Sequence, residues 1–584
     1  MAYRGSQYVR LGGGLDLRSS AMQMASGRLL YAVNVECVAP NGYKRIDGYE
    51  IKGAEITGSG SITGVTYYNS TPYAFRANAG GTAVVMWKLV AGTWTEVDLG
   101  REVAFTSGGT TAISVGDTVV GATSGATAVV RHVQPTSGLW VSGNVSGWLT
   151  LYGQTGTFQA EDLNIQGGAT NVATIAADST AVTLSTGGKY DFDIYNFNGT
   201  DRLYGADGVN NAFEFDGSYY IKIRTGMVSD NPSHVVGYKN HLFLSFAQSV
   251  QFSPINNPTG VWSVVLGAGE LLVKGTVTSF MHTPTGALAV MSDDGVFILE
   301  GSSSQDFTGN SMREYGNHIG AKEWTVQQMG SRLYWLSDQG VVELSAAQQY
   351  GEFQDATLTQ EVQPIIDRYI NAAVGSAVLK SKNQYWLAWN DGRGMIISFY
   401  RDRPLGITEF NLPDSINCMW SGDTATDGSR IFFGSTGGKV FEFVEDAPSF
   451  AGADIVATMK TAFTSLGSPR VIKRWRHVVF DLNAPTNSPI QIKPEFRFSN
   501  DGVPDYSYSA ISLYGAGTPL GTGTLGSTGS LAMVLGGSYL VESVVEIPGR
   551  GDYCSMVVNS TSSVGSPWII SGMIYEFLPG RRRY

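Results

Sequence analysis

Along most of this chain, apolar positions come in short runs, paired about a turn of Gly or polar residues. Leu288-Ala289-Val290-Met291 leads through Asp294-Gly295 into Val296-Phe297-Ile298-Leu299-Glu300. Arg332-Leu333-Tyr334-Trp335-Leu336 leads through Gln339-Gly340 into Val341-Val342-Glu343-Leu344. Tyr385-Trp386-Leu387-Ala388-Trp389 runs into Asp391-Gly392, and Arg430-Ile431-Phe432-Phe433 passes Gly437-Gly438 into Val440-Phe441-Glu442-Phe443. Runs this short, rich in β-branched and aromatic residues and bounded by Gly, predict strands joined as hairpins.

The turns fall at 208, 249, 295, 340, 392 and 438, in steps of 41, 46, 45, 52 and 46 residues. A seventh hairpin is predicted about Gly80-Gly81, between Tyr73-Ala74-Phe75 and Val84-Val85-Met86-Trp87. It lies 128 residues before Gly208, and leaving out the 86 residues 101–186 shortens that gap to 42. A period of ~40–50 residues with paired short strands predicts a β-propeller, one four-stranded sheet per blade. We expect an all-β fold with six to eight blades, seven by the hairpins.

Residues 1–55 read as an N-terminal segment that closes the propeller, with Asn41-Gly42 as a two-residue hairpin signal. Residues 56–100 form the first blade and 187–447 the others. Residues 101–186, in short Thr-, Val- and Ala-rich runs, read as an inserted small β-barrel or sandwich. Such an insertion is tolerated because loop-closure entropy grows slowly with length. One helix is expected over 357–370, from the spacing of Leu358, Val362, Ile365, Ile366 and Tyr369. Thr357 and Gln360 offer a capping box, and Pro364 marks a start or kink. Residues 448–584 alternate as half-buried strands and predict a C-terminal β-sandwich, with a long Gly-rich loop from Gly515 to Gly537.

Composition narrows the function. Charged residues make up 15% of 584, below the usual quarter, while aromatics reach 11%. A net charge of −11 lacks the basic balance of a nucleic-acid clamp. It is compatible with a passage whose acidic wall keeps DNA mobile. Cys37, Cys418 and Cys554 make neither a metal pattern nor a disulfide framework. No N-terminal apolar stretch reads as a signal peptide and no run of 18 apolar residues could span a bilayer. The expectation is a chain made in a cytoplasm.

Four stretches, in order, resemble the nozzle or tail-hub proteins of short-tailed bacteriophages (tail tubular protein B-like and packaged-DNA-stabilisation-like). The first is Leu11-Gly12-Gly13-Gly14-Leu15-Asp16 with Ala32-Val33-Asn34-Val35 and Gly42-Tyr43-Lys44-Arg45-Ile46-Asp47-Gly48-Tyr49-Glu50. The second is Pro232-Ser233-His234 through Leu242-Phe243-Leu244, then Val250-Gln251-Phe252-Ser253. The third runs from His318-Ile319-Gly320-Ala321 through Leu333–Val341 to the 358–366 helix. The fourth is Phe463-Thr464-Ser465-Leu466-Gly467-Ser468-Pro469-Arg470 through Arg474. The resemblance implies a structural virion protein: a homohexameric ring below the portal and its adaptor. Its channel passes double-stranded DNA without sequence-specific binding, and its outside docks tail fibres or spikes. The virion tail is the expected location.

Candidate chemistry is sparse. The six His (His132, His234, His241, His282, His318 and His477) are scattered without a nucleophile-elbow pattern. Ser292-Asp293-Asp294-Gly295 and Ser337-Asp338-Gln339-Gly340 resemble sialidase Asp-boxes but lack the Thr-Trp that should follow. Positive φ in an Asp-Gly hairpin accounts for them. Asp191, Asp193, Asn196, Asn198 and Asp201 cluster oxygen ligands without a Ca-loop order and read as a polar turn. No catalytic, cofactor or metal residue is expected, and no enzyme. The rival reading is a carbohydrate-binding or carbohydrate-active propeller. It predicts paired carboxylates in one pocket near the axis. For the ring, the interface candidates are Arg470, Lys473, Arg474 and Arg476, facing the acidic bulk of an adjacent subunit. Arg581, Arg582 and Arg583 are candidates to grip phosphate or an acidic neighbour.

Overall fold

In the computed structural model the described residues are 5–20, 23–107, 109–309, 311–315, 319–345, 357–401, 403–424, 428–483, 490–496, 511–513, 540–563 and 567–582. They build an all-β protein of many small antiparallel sheets. Each predicted turn separates two hydrogen-bonded strands. The first sheet holds Ser59–Tyr68, Thr71–Ala77, Val84–Val90 and Thr93–Glu96, and the second Asp191–Asn196, Asp201–Ala206, Phe213–Phe215 and Tyr220–Lys222. The third holds Val235–Tyr238, His241–Phe246, Ser249–Phe252 and Gly269–Leu272. Val277–His282, Leu288–Ser292, Val296–Leu299 and Met312–Tyr315 form the fourth, and Gln327–Met329, Arg332–Ser337 and Gly340–Ser345 the fifth. The sixth uses Ala373–Leu379, Gln384–Trp389, Arg393–Tyr400 and Arg403–Asn411. In the seventh, Ile416–Thr424, Gly428–Ser435 and Val440–Phe443 are joined by Tyr49–Ile51 from the N-terminal segment.

The first strands of these sheets adjoin in a closed cycle. Each touches the first strand of the next sheet, and Ile416–Thr424 touches Ser59–Tyr68. Closure rests on Tyr49. Its buried ring lies 5.0–5.8 Å from those of Phe433, Phe441, Phe443 and Phe450, and its hydroxyl donates to Asp414 Oδ2 at 2.7 Å. Beside it, a Cβ on Gly48 would sit 1.9 Å from the Ser449 carbonyl, so only Gly admits this close approach.

Hydroxyls hold several hairpin turns. Ser292 Oγ accepts from Gly295 N–H at 3.0 Å and Ser337 Oγ donates to Gly340 O at 2.9 Å. Gly340 has φ +123°, yet Gly295 does not have a positive φ. The Asp-box likeness at 292–295 is therefore a serine-held turn, and not the positive-φ turn expected.

The N-terminal segment does more than close the cycle. Gly5–Arg10 and Tyr43–Arg45 pair with Ile569–Arg582, and Leu29–Val33 pairs with Ile455–Thr461. The C-terminal sandwich is thus built from both ends of the chain. One sheet carries Val35–Cys37, Tyr43–Arg45, Ile569–Arg582, Val471–Asn483 and Leu540–Gly551 in that order. The facing sheet continues from the sixth through Leu29–Val33, Ile455–Thr461, Ser555–Ser562, Ile490–Glu495 and Ile511–Leu513. Trp475, Phe480 and Tyr575 from one and Met459, Met556 and Ile492 from the other share the largest apolar core. Asn41-Gly42 is not a two-residue turn, because the loop spans 38–42 and Val38 N–H bonds Gly42 O.

The α-helix is shorter than predicted, Gln363–Tyr369, with Pro364 in its first turn and a 3-10 turn Gln360–Val362 before it. Thr357 does not cap it and bridges Val342 instead. The insertion forms its own seven-stranded sheet between Arg101–Ser107 and Thr180–Ala181 around Phe105, Val119, Leu149, Leu151 and Leu163. It ends before 186, for Val182 and Leu184 pack with Tyr73 and Phe75 of the first sheet. The predicted 515–537 loop lies outside the described residues.

Candidate functional site

The seven first strands and the residues leading into them enclose an axial cavity of about 210 Å³. Its charged and aromatic lining includes Lys189, Asp191, Asp193, His234, His282 and Trp324. Lys189 leads into the second sheet yet reaches across the axis. Its Nζ donates to Val374 O of the sixth sheet and lies 4.7 Å from the Trp324 ring centroid. Burial brings this ammonium down to about 8. It makes no ion pair among the described residues.

Adjacent sheets are tied around this cavity by polar contacts. His234 Nδ1 lies 3.1 Å from Asp191 Oδ2, which places a ring proton on Nδ1 and leaves buried Nε2 without a partner among the described residues. Asp193 Oδ2 accepts from Gly237 N–H at 2.7 Å, and burial raises its carboxyl. Gln327 Nε2 donates to Ser376 O at 3.1 Å, and Asn417 Nδ2 donates to Ile62 O at 2.7 Å. Trp324 holds φ +66°, a left-handed backbone unusual for a bulky residue. Its ring centroid lies 5.2 Å from that of His234.

The five predicted oxygen ligands do not gather. Asp191 and Asp193 face the axis, while Asn196 and Asp201 join each other at the hairpin turn, Nδ2 to Oδ1 at 3.2 Å. No group of three or more His, Cys, Asp or Glu stands close enough to hold a metal among the described residues. Of the described His, only His234 and His282 share the axial lining. His318 lies outside the described residues.

The predicted interface residues fall on the outward sheet of the sandwich. In Val471–Asn483 the alternation turns Lys473 and Trp475 inward and Arg474 and Arg476 outward. Arg470, just before the strand, is exposed. Lys473 does not join them. It is fully buried, and its Nζ donates to the carbonyls of Ser468, Val471 and Asp552 at 2.8–3.2 Å. Burial lowers its pKa. Leu540–Gly551 contributes a cation absent from the prediction: Arg550 stands directly opposite Arg474 and is exposed. Arg474, Arg476, His477, Glu546, Arg550 and Pro579 line a groove of about 810 Å³. None of Arg470, Arg474, Arg476 and Arg550 has an ion pair among the described residues. Arg581 and Arg582 end the strand Ile569–Arg582, and Arg583 lies outside the described residues.

The insertion is docked rather than hung. Glu102 binds Lys222 at 3.1 Å and Arg224 at 2.8 Å, and the Arg224 and Arg131 guanidinium groups lie 4.5 and 4.2 Å from the Trp148 and Tyr219 rings. His132 Nε2 lies 3.0 Å from Thr259 O of the third sheet's loop. No helix among the described residues is long and apolar enough to cross a membrane.

No family model matches the chain, and no curated protein matches it. Among solved structures it is similar to U3-55K, at 10% identity over 68% of this chain and 98% of that chain, with a TM-score of 0.38. It is also similar to Chaetomium thermophilum Raptor, at 8% over 68% and 28% with a TM-score of 0.37, and to the computationally designed Ika8 protein, at 8% over 68% and 99% with a TM-score of 0.33. Likenesses this low carry neither the fold nor the function.

Proposed function

We propose that this chain is a structural subunit of a short-tailed bacteriophage tail nozzle, built on a seven-bladed β-propeller. The closed cycle of first strands, latched by Tyr49–Ile51, supports the propeller. The observation that carries the ring is the Arg474–Arg550 face, without an ion pair among the described residues, on a chain of net charge −11. Such a face fits the acidic bulk of a neighbouring copy. Six copies around a channel, an adaptor above and fibres or spikes outside complete the reading, with the virion tail as its location. The cavity on the propeller axis equals about seven water volumes of ~30 Å³. A duplex therefore passes between copies, and the reading requires no catalysis.

One observation favours the rival carbohydrate reading: Asp191 and Asp193 share the axial cavity. Against it, both carboxylates are already engaged, Asp191 by His234 and Asp193 by the Gly237 N–H. The test is negative-stain imaging with sedimentation velocity on the purified full chain, alone and with its adaptor. Six-fold rings in either condition are expected. A monomer in both overturns the reading.

A further inference from the structure

The axial cavity holds two unmatched groups of opposite demand. Lys189 is a half-buried ammonium whose contacts are a carbonyl and an aromatic face, with no carboxylate within ion-pair range among the described residues. Burying a charge without a counter-charge is costly. His234, 1% exposed, presents an Nε2 lone pair with no hydrogen-bond partner among the described residues, because the neutral ring's proton is committed through Nδ1 to Asp191. Leaving a buried acceptor unmade is costly too. The strained Trp324 backbone places one indole against both side chains.

The ligand that answers both is constrained by charge. Water can donate to His234 but does not neutralise Lys189. A simple anion would neutralise Lys189, yet it would meet the His234 lone pair and the Asp191 carboxylate. A simple cation would suit Asp191 and be repelled by Lys189. We propose that the axial cavity binds a small amino acid as its zwitterion, its carboxylate on Lys189 and its ammonium on His234 Nε2 and Asp191. The volume, about 210 Å³, admits a small amino acid such as glycine, alanine or serine. The site belongs to a single copy, so it stands or falls independently of ring assembly.

The test is isothermal titration calorimetry on the full chain with glycine and L-serine, against acetate, ethylammonium and inorganic phosphate. Saturable binding of glycine or serine is expected, at least tenfold tighter than acetate, ethylammonium or phosphate. Because burial brings Lys189 down to about 8 against the opposing pull of Cys418 and Glu323, affinity should fall about tenfold over the first pH unit above that value. Lys189→Met should abolish binding, and Lys189→Arg, which keeps the charge, should abolish the pH dependence in the first unit above 8, before the ligand's own ammonium titrates. The pH series on the unsubstituted chain decides the matter should the Met variant fail to fold. Phosphate or acetate binding as tightly as glycine would make this an anion site and overturn the proposal. Absence of binding by every probe, leaving a water-filled cavity, would overturn it equally.

Discussion

Arg474 and Arg550 stand directly opposite one another on adjacent antiparallel strands, both exposed and neither holding a carboxylate among the described residues. Like charges in this register destabilise a sheet, typically by a few tenths of a kcal/mol to ~1 kcal/mol. Neither arginine forms an ion pair with the described residues of the folded monomer, whereas a contacting acidic surface would supply one.

That contrast separates folding from assembly. Arg474→Glu puts an opposite charge across from Arg550 and should stabilise the isolated chain by roughly 0.2–1 kcal/mol. The same substitution should weaken ring formation. Urea denaturation reads the first and sedimentation velocity the second. Rings that assemble unchanged would remove this face from the interface.

Tyr49 should behave as a latch. Tyr49→Ala empties a fully buried site among four Phe rings and should cost about 3–5 kcal/mol. Tyr49→Phe removes only the hydrogen bond to Asp414, worth about 1 kcal/mol. Chemical denaturation of the two variants checks the order. A loss under about 1 kcal/mol for the Ala variant would mean that this strand does not hold the seventh sheet closed.

Local signals account for what was legible. The turns at 295, 340 and 438 carry their own chemistry within four residues, so the hairpins showed plainly. The partners of the N-terminal strands did not, since Gly5 pairs with Phe577 and no local pattern reports a contact across the length of the chain. Lys473 was separable in principle, because a period of two puts it with Trp475 and opposite Arg474. The axial set was not. Lys189, His234 and Trp324 each sit at or just before a first strand, whereas the repeat signal marks the turn between the second and third. Their convergence depends on cyclic closure, which no single repeat contains.

Acid should loosen the seat of the insertion. Burial lowers the pKa of His132, with Arg224 and Arg202 also disfavouring its charge, while Glu102 and the Thr259 carbonyl act the other way. Above about pH 6.5 the imidazole is neutral both folded and unfolded, and its contribution is complete. As pH falls below that, the unfolded chain takes up a proton that the folded one resists, and stability declines toward the lower folded pKa. Hydrogen-exchange protection in Thr127–Ser137, taken relative to the intrinsic rate at each pH, should therefore fall between pH 7 and 5. His132→Gln should flatten that response, and an unchanged slope in the variant would assign it to other groups.

The insertion should be removable. Arg101 pairs with Ala181 where its strands enter and leave, and Val182 N–H bonds Gly100 O at 3.0 Å, so joining Gly100 to Val182 bridges a gap that is already closed. Val182 and Leu184 must stay, because they pack on Tyr73 and Phe75. Deleting 101–181 leaves Lys222 and Arg224 without Glu102, and uncovers Tyr220, whose N–H bonds Tyr152 Oη at 2.7 Å. The expected product folds cooperatively with a lowered Tm, because the seven-sheet cycle and both sandwich sheets keep every strand. Far-UV circular dichroism with a thermal melt decides it. A chain that fails to fold would make these residues part of the common core, and the regular hairpin spacing across the gap would then be coincidence.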